Sequence, residues 1–163
     1  MTLSITPITG TELSVFTIVT RSSQERRVRR FHHELEDVTT GEWTPLSRSA
    51  AREKYPNAWD APQWKESDLD RVEWVQSKAN AQTWKAIEHI ARTGNVTGDE
   101  VAAAVGYTDA MAWKSALPHL SAYCLRIGRR PLWDVERSTG TFRYYVSPTV
   151  GALLAELEGS EEA

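Results

Sequence analysis

The stretch from Thr97 to Val146 constrains the fold most, because it encodes two short capped helices followed by a hairpin. Its first residues, Thr97-Gly98-Asp99-Glu100, have the pattern of a capping box. In that motif the threonine hydroxyl accepts a hydrogen bond from the glutamate amide, and the glutamate carboxylate accepts one from the threonine amide. Gly106 can adopt the left-handed conformation that ends a helix. The pattern therefore predicts a first helix between Thr97 and Gly106.

A second helix is predicted directly after Gly106, with Thr108 as its N-cap. Pro118 lacks an amide proton, so we expect it to end one helical segment and open another. One face of this helix is apolar and should enter the core, through Trp113, Ala116, Leu117, Leu120 and Cys124. The opposite face should be exposed and available for recognition, and it carries Met111, Lys114, Ser115, Pro118 and His119.

Two β-rich runs on either side of Ser138-Thr139-Gly140-Thr141 predict a hairpin. A loop with an even number of residues places Arg137 opposite Phe142 and pairs Glu136 with Arg143. We prefer this register because a three-residue loop would mix acidic and aromatic side chains on one face. It gives an apolar face made of Trp133, Val135, Phe142, Tyr144 and Val146.

Further helices are predicted on both sides of this stretch. They run from Ser67 through Val75, from about Asn80 to Arg92 with a stop at Gly94, and from a cap at Thr149 to Leu157. The predicted order is therefore helix, link, helix, helix, hairpin and closing helix. We expect one shared core, formed by Trp84, Ile87, Val101, Trp113, Leu117, Leu120, Trp133 and Tyr144.

The N-terminal region predicts a strand from Leu13 to Val19 and then a helix that starts at a second capping box, Ser22-Ser23-Gln24-Glu25. This helix region holds the densest basic cluster of the chain, Arg21, Arg26, Arg27, Arg29 and Arg30. The cluster is either a solvated helix face or a secondary patch that contacts phosphates. His32 and His33 follow it, but adjacent residues on a helix point about 100° apart. We therefore predict no metal site there.

Residues 37–66 show no sustained hydrophobic period and are interrupted by glycine and proline, which predicts a long loop. Its aromatic side chains are too apolar for a disordered linker and should pin the loop to the core. They are Trp43, Tyr55, Trp59 and Trp64. An aromatic pocket for a base or a small ligand is the alternative role of the tryptophans.

The chain has 163 residues with 40% hydrophobic content and seven tryptophans, which is enough for one good core but not for two full domains. We divide it into an N-terminal region (1–66), a main domain (67–158) and an acidic tail (159–163). The lone Cys124 is expected to be a buried, inert thiol, which agrees with a cytoplasmic location. With no long apolar run and no basic, hydrophobic leader, we expect a soluble protein without membrane contact.

The net charge of −3 argues against indiscriminate coating of nucleic acid, but the charge is unevenly distributed. Residues 111–148 contain six basic and two acidic residues, a local charge of +4. This stretch is the candidate DNA-binding surface. Its candidate contact residues are Met111, Lys114, Ser115, His119, Arg126, Arg129, Arg130, Arg137 and Arg143.

An enzyme needs converging acid, base or nucleophilic groups, and the sequence offers no such set. It contains no Gly-x-Ser-x-Gly, no phosphate-binding glycine loop and no His-Glu-x-x-His. We therefore predict that the protein is not an enzyme, has no catalytic residues, and uses no cofactor or metal.

The order of elements resembles the winged helix-turn-helix superfamily, and residues 79–157 are similar to an uncharacterised family of small winged-helix-like proteins from actinobacteria or their phages. The similarity rests on Thr97-Gly98-Asp99-Glu100-Val101-Ala102, Gly106, Leu117-Pro118-His119, Ile127-Gly128-Arg129, Pro131 and the strand containing Tyr144. It implies an α+β fold, mostly α, in which a winged helix follows an N-terminal strand-helix extension.

The resemblance also implies that duplex DNA is the partner, for a transcriptional regulator or an accessory factor of a phage or mobile element. A winged helix used only for contacts with another protein is the alternative. Whether the protein forms a homodimer stays open.

Overall fold

The computed structural model describes residues 2–7, 14–19, 43–138 and 140–161. Its contacts divide the chain into two units, residues 1–42 and 43–163. The first unit contains an antiparallel ribbon of β1 (Thr2–Pro7) and β2 (Ser14–Val19), in which Thr2 lies opposite Val19. The predicted strand at residues 13–19 is confirmed as β2, and its partner β1 was not predicted. The predicted basic helix, with its five arginines and His32-His33, lies outside the described residues.

The second unit is mostly helical and contains a small antiparallel sheet. The elements are α1 (Arg48–Lys54), a 3-10 turn (Ala58–Asp60), α2 (Leu69–Lys78), α3 (Ala81–Thr93), β3 (Val96–Thr97), α4 (Gly98–Val105), α5 (Ala110–Arg126), β4 (Asp134–Ser138), β5 (Thr141–Tyr145) and α6 (Pro148–Glu161). The sheet has the strand order β3-β5-β4. The α+β class with a predominance of helix agrees with the sequence analysis.

The first helix of the central stretch, α4, begins and ends as its sequence predicts. The amide of Glu100 donates to the Thr97 hydroxyl at 3.3 Å, and the Thr97 amide donates back to the Glu100 carboxylate at 2.7 Å. The hydrogen bonds that the Thr97 amide and the Thr97 hydroxyl donate to the Glu100 carboxylate hold the pKa of Glu100 below its usual value. Gly106 ends the helix with a left-handed φ of 78°.

Two predicted caps were wrong by one or two residues. The Asp109 carboxylate, not Thr108, accepts from the amide of Ala112 at 2.8 Å and caps α5. An acidic side chain there also interacts favourably with the positive end of the helix dipole. At α6 the Ser147 hydroxyl, not Thr149, accepts from the amide of Val150, and Pro148 takes the first helical position.

The expectation that Pro118 divides the second helix was wrong, because α5 runs from Ala110 to Arg126 without interruption. A proline inside a helix removes one backbone hydrogen bond and crowds the preceding turn. Pro118 is exposed, and buried residues on either side of it, Trp113 and Leu120, hold both halves of the helix against the core. The packing of the whole 17-residue helix therefore outweighs the helix-breaking tendency of one proline.

The predicted hairpin register is confirmed. Arg137 lies opposite Phe142, Glu136 opposite Arg143, and the strands end at Ser138 and resume at Thr141. The short β3 pairs with the other edge of β5, placing Val96 opposite Tyr144. The hairpin is thereby joined to the link between α3 and α4.

The core is close to the predicted one. Seven of the eight expected residues are buried in a single cluster, and these are Trp84, Ile87, Val101, Trp113, Leu120, Trp133 and Tyr144. Leu117 was expected to be equally buried, but it is only half-buried and packs at the edge of the cluster. Helix α6 closes the core with Val150, Leu153, Leu154 and Leu157.

The prediction that residues 37–66 form a long loop was wrong at residues 48–54 and 58–60, which form α1 and the 3-10 turn. Ser47 caps α1 by accepting from the amide of Ala50, and the 3-10 turn follows. Residues 43–66 belong to the second unit. Trp64 is buried in the main core, and Ala51, Tyr55 and Leu125 form a smaller cluster beside α5. The aromatic residues therefore pin this segment, as expected.

Cys124 is fully buried, as the sequence predicts, and burial raises the pKa of its thiol from 9.0 to about 12. Between these two pH values the thiol of the folded protein keeps a proton that the same thiol releases in the unfolded chain. This contribution to stability is complete below pH 9.0, the ordinary pKa of the thiol, and is lost as the pH rises. Above that pH we expect the free energy of unfolding to fall by up to about 1.4 kcal/mol per pH unit more than in a Cys124→Ala variant. Urea unfolding at two alkaline pH values measures this difference, and equal slopes for the two proteins would contradict it.

In the part of the chain that the structure describes, no helix has the length and apolarity needed to cross a bilayer.

Candidate nucleic-acid interface

The outer face of α5 is exposed in the second unit. Core residues on the opposite face fix the helix, and the Asp109 cap fixes its start. Met111 is 71% exposed, Ser115, Pro118 and His119 are exposed, and Lys114 is half-buried. The predicted recognition residues on this helix therefore share one accessible face.

A groove lies on one side of this face, between α5 and the hairpin. It has a volume of about 500 Å³ and is lined by Trp59, Lys114, Leu117, Trp133, Phe142 and Tyr144, among others. Trp133 and Tyr144 are buried at its base, whereas Phe142 is 44% exposed. The alternation of side chains along β4 and β5 places residues 133, 135, 142 and 144 on the groove side.

Two cations lie at the hairpin end of the groove. The Lys114 Nζ is 5.4 Å and the Arg137 Cζ is 5.7 Å from the centre of the Phe142 ring. Among the described residues, neither side chain forms an ion pair within 4.0 Å. Within the described part of the chain, the contact that these two charges share is therefore the face of the Phe142 ring.

Arg129 was predicted to contact DNA, and its position argues against that role. It is 1% exposed, and its Nε and Nη2 donate to the two carboxylate oxygens of Asp68 at 2.6 and 2.8 Å. Asp68 also accepts from the amide of Lys65 and lies 3.4 Å from the Nε of Arg71. Arg129 thus ties the segment after α5 to the start of α2 and cannot reach a phosphate.

Three other predicted contacts have partners within the protein. Arg130 forms an ion pair with Asp134 and stacks over the Trp59 ring. The Nε of Arg126 donates to the carbonyl of Leu46 at 2.7 Å. Arg143 donates to the carbonyl of Asn95 at 3.0 Å and, by strand alternation, lies on the side of β5 away from the groove. The local charge of +4 is therefore not concentrated on one surface.

A second concavity lies on the other side of α5, toward α3. It has a volume of about 490 Å³, and its polar side chains include Asn80, Thr83, Tyr107, Ser115 and His119. The Thr83 and Tyr107 hydroxyls are hydrogen-bonded to each other at 2.9 Å. Ser115 and His119 therefore face this polar pocket, whereas Lys114 faces the apolar groove.

The sequence analysis missed two features of this region. It did not identify Asp68 as the partner of Arg129, because 61 residues separate them and no local pattern connects them. It named Trp59 only as one of several loop tryptophans. The structure separates these roles, since Trp59 lines the groove, Trp64 is buried and Trp43 packs edge-on against Trp74.

No cluster of three or more His, Cys, Asp or Glu side chains suited to a metal ion occurs among the described residues. No protein-family model matches the chain, and no curated protein or solved structure is significantly similar to it.

Proposed function

We propose that residues 81–145 form a winged helix-turn-helix and that this domain binds duplex DNA. The element order α3, β3, α4, α5, β4, β5 and the strand order β3-β5-β4 support the fold assignment. In this arrangement α4 and α5 are the two helices of the motif, α5 is the recognition helix, and the hairpin is the wing.

The observation that carries the proposal is the exposed outer face of α5 beside the hairpin. A helix face can enter the major groove, where side chains read the edges of bases. Met111, Ser115 and His119 project from this face and would contact bases, while Lys114 is long enough to reach a guanine or a phosphate. Arg137, near the tip of the hairpin, would contact the backbone beside that groove.

With Lys114 and Arg137 as the main phosphate contacts, binding should depend moderately on salt. Neutralising two phosphates gives a slope of log K against log salt of about −1.8. We expect the affinity for any duplex to fall by roughly tenfold between about 50 and 200 mM salt. Fluorescence anisotropy with labelled duplexes of several sequences measures this dependence.

The variant Lys114→Gln with Arg137→Gln should weaken binding to every duplex and reduce the salt slope by about one unit per lost cation. The matched control is Lys85→Gln with Arg52→Gln, which removes the same charge from exposed positions on α3 and α1. Parent-like binding by the first variant, or equal losses in both, would argue against this surface.

A second candidate function is contact with another protein through the same face. The observation in its favour is that three large exposed apolar side chains, Met111, Val135 and Phe142, lie on α5 and on the groove side of the hairpin. Such an interaction should tolerate salt and depend on Met111. Two results together would favour this alternative. A selection from random duplexes would yield no sequence motif, and the Met111→Ser variant would no longer capture a protein partner that the parent captures.

A further inference from the structure

The groove between α5 and the hairpin has the features of a small-molecule site. Its volume of about 500 Å³ lies within the usual range of ligand pockets, about 300–1,000 Å³. Its walls are mostly apolar and include four aromatic side chains, and few polar groups converge on it. This balance is typical of sites that enclose an apolar ligand and orient it through a small number of polar contacts.

The walls of the groove are held in place by the fold. Trp133 and Tyr144 are each only 4% exposed, and the Trp59 ring meets the Trp133 ring edge-on at 6.4 Å. The Arg130 Cζ lies 5.1 Å from the centre of the Trp59 ring, and Asp134 forms an ion pair with that arginine. A planar ligand would therefore meet preorganised aromatic surfaces, which lowers the entropic cost of binding.

Charge determines which ligand fits. Lys114 and Arg137 both lie near the exposed Phe142 ring and form no ion pair among the described residues, in contrast to Arg130. An anionic group at that end would gain charge-assisted hydrogen bonds from Lys114. The apolar body would then lie against Leu117 and the aromatic walls.

We propose that this groove binds a small organic acid with a planar apolar body, an aromatic or arylalkyl carboxylate. The carboxylate contacts Lys114, with Arg137 beside it, and the ring lies against the wall that Trp59 and Trp133 form. This binding does not require that the protein binds DNA. Where both occur, the acid covers Lys114 and lowers the affinity of α5 for the duplex.

The test uses three probes of similar shape and different charge: indole-3-acetate, the neutral indole-3-acetamide and the cationic tryptamine. Titrations of the ¹⁵N-labelled full chain are followed by the indole N–H resonances, which are assigned with Trp→Phe variants. We expect indole-3-acetate to bind saturably with a dissociation constant of about 1 mM or below and to shift the Trp59 and Trp133 resonances. The Trp84 resonance, from a buried residue outside the groove, serves as the internal control.

The neutral and cationic probes should bind the parent protein at least about tenfold more weakly than indole-3-acetate does. The Lys114→Gln variant should bind indole-3-acetate at least about tenfold more weakly than the parent protein does. The matched variant Lys85→Gln, on the exposed side of α3, should bind like the parent. Equal binding of the amide, equal affinities of the two lysine variants, or no saturation up to about 5 mM would each overturn the proposal. No DNA is present in these titrations, so their outcome is independent of the proposed DNA binding.

Discussion

Replacing Asp68 by alanine should destabilise the second unit by about 3–5 kcal/mol, because it removes one partner of a buried ion pair and leaves the other uncompensated. Asp68 is 3% exposed and Arg129 is 1% exposed. The carboxylate receives both Arg129 bonds, lies beside Arg71 and accepts from the amide of Lys65. A single carboxylate therefore interacts with three residues, Lys65 and Arg71 nearby in the chain and Arg129 far from it, and its loss affects them together.

Urea unfolding followed by tryptophan fluorescence measures this effect, since all seven tryptophans lie within residues 43–133 of the second unit. Glu73→Ala is the matched control, because Glu73 is exposed on the same helix and should change stability by less than about 0.5 kcal/mol. The double variant Asp68→Leu with Arg129→Met should lose less than the sum of its two single variants. A loss below about 1 kcal/mol for Asp68→Ala would mean that the ion pair contributes little to the fold.

Replacing Leu120 by alanine should cost about 2–5 kcal/mol, because its side chain is 2% exposed at the centre of the core. Part of this cost is the lost transfer energy of the side chain, and part is the cavity that remains among rigid neighbours. Leu120 lies on the same face of α5 as Trp113 and Cys124, both fully buried. These neighbours have little room to move into the space.

Leu117→Ala provides the control, since it makes the same chemical change one turn away at a half-buried position. Its cost should fall clearly below that of Leu120→Ala, because Leu117 lines the open groove and its removal creates no enclosed cavity. Urea unfolding of both variants gives the comparison. Equal losses would show that the groove is closed in solution and that Leu117 belongs to the core.

The local features of the second unit could be predicted because short-range chemistry determines them. The Thr97–Glu100 capping box, the left-handed Gly106 and the register that places Arg137 opposite Phe142 involve residues at most five positions apart. Such motifs satisfy backbone groups within a few residues, so they can be recognised without knowledge of the rest of the fold. The apolar spacing of α5 likewise identified its exposed face.

Long-range contacts decided the features that sequence patterns could not. The arginines at 129 and 130 are adjacent and chemically identical, yet one is buried against Asp68 and the other pairs with Asp134 beside Trp59. Pro118 should break a helix by local rules, but packing on both sides of it keeps α5 continuous. Counting charges along the sequence therefore overestimated the basic surface. A basic side chain can contact an external partner only where tertiary packing leaves that side chain exposed to solvent. The sequence alone determined where the helices from α2 onward and the hairpin form, whereas only the tertiary structure decided that Lys114 reaches the Arg137–Phe142 pair beside an aromatic groove.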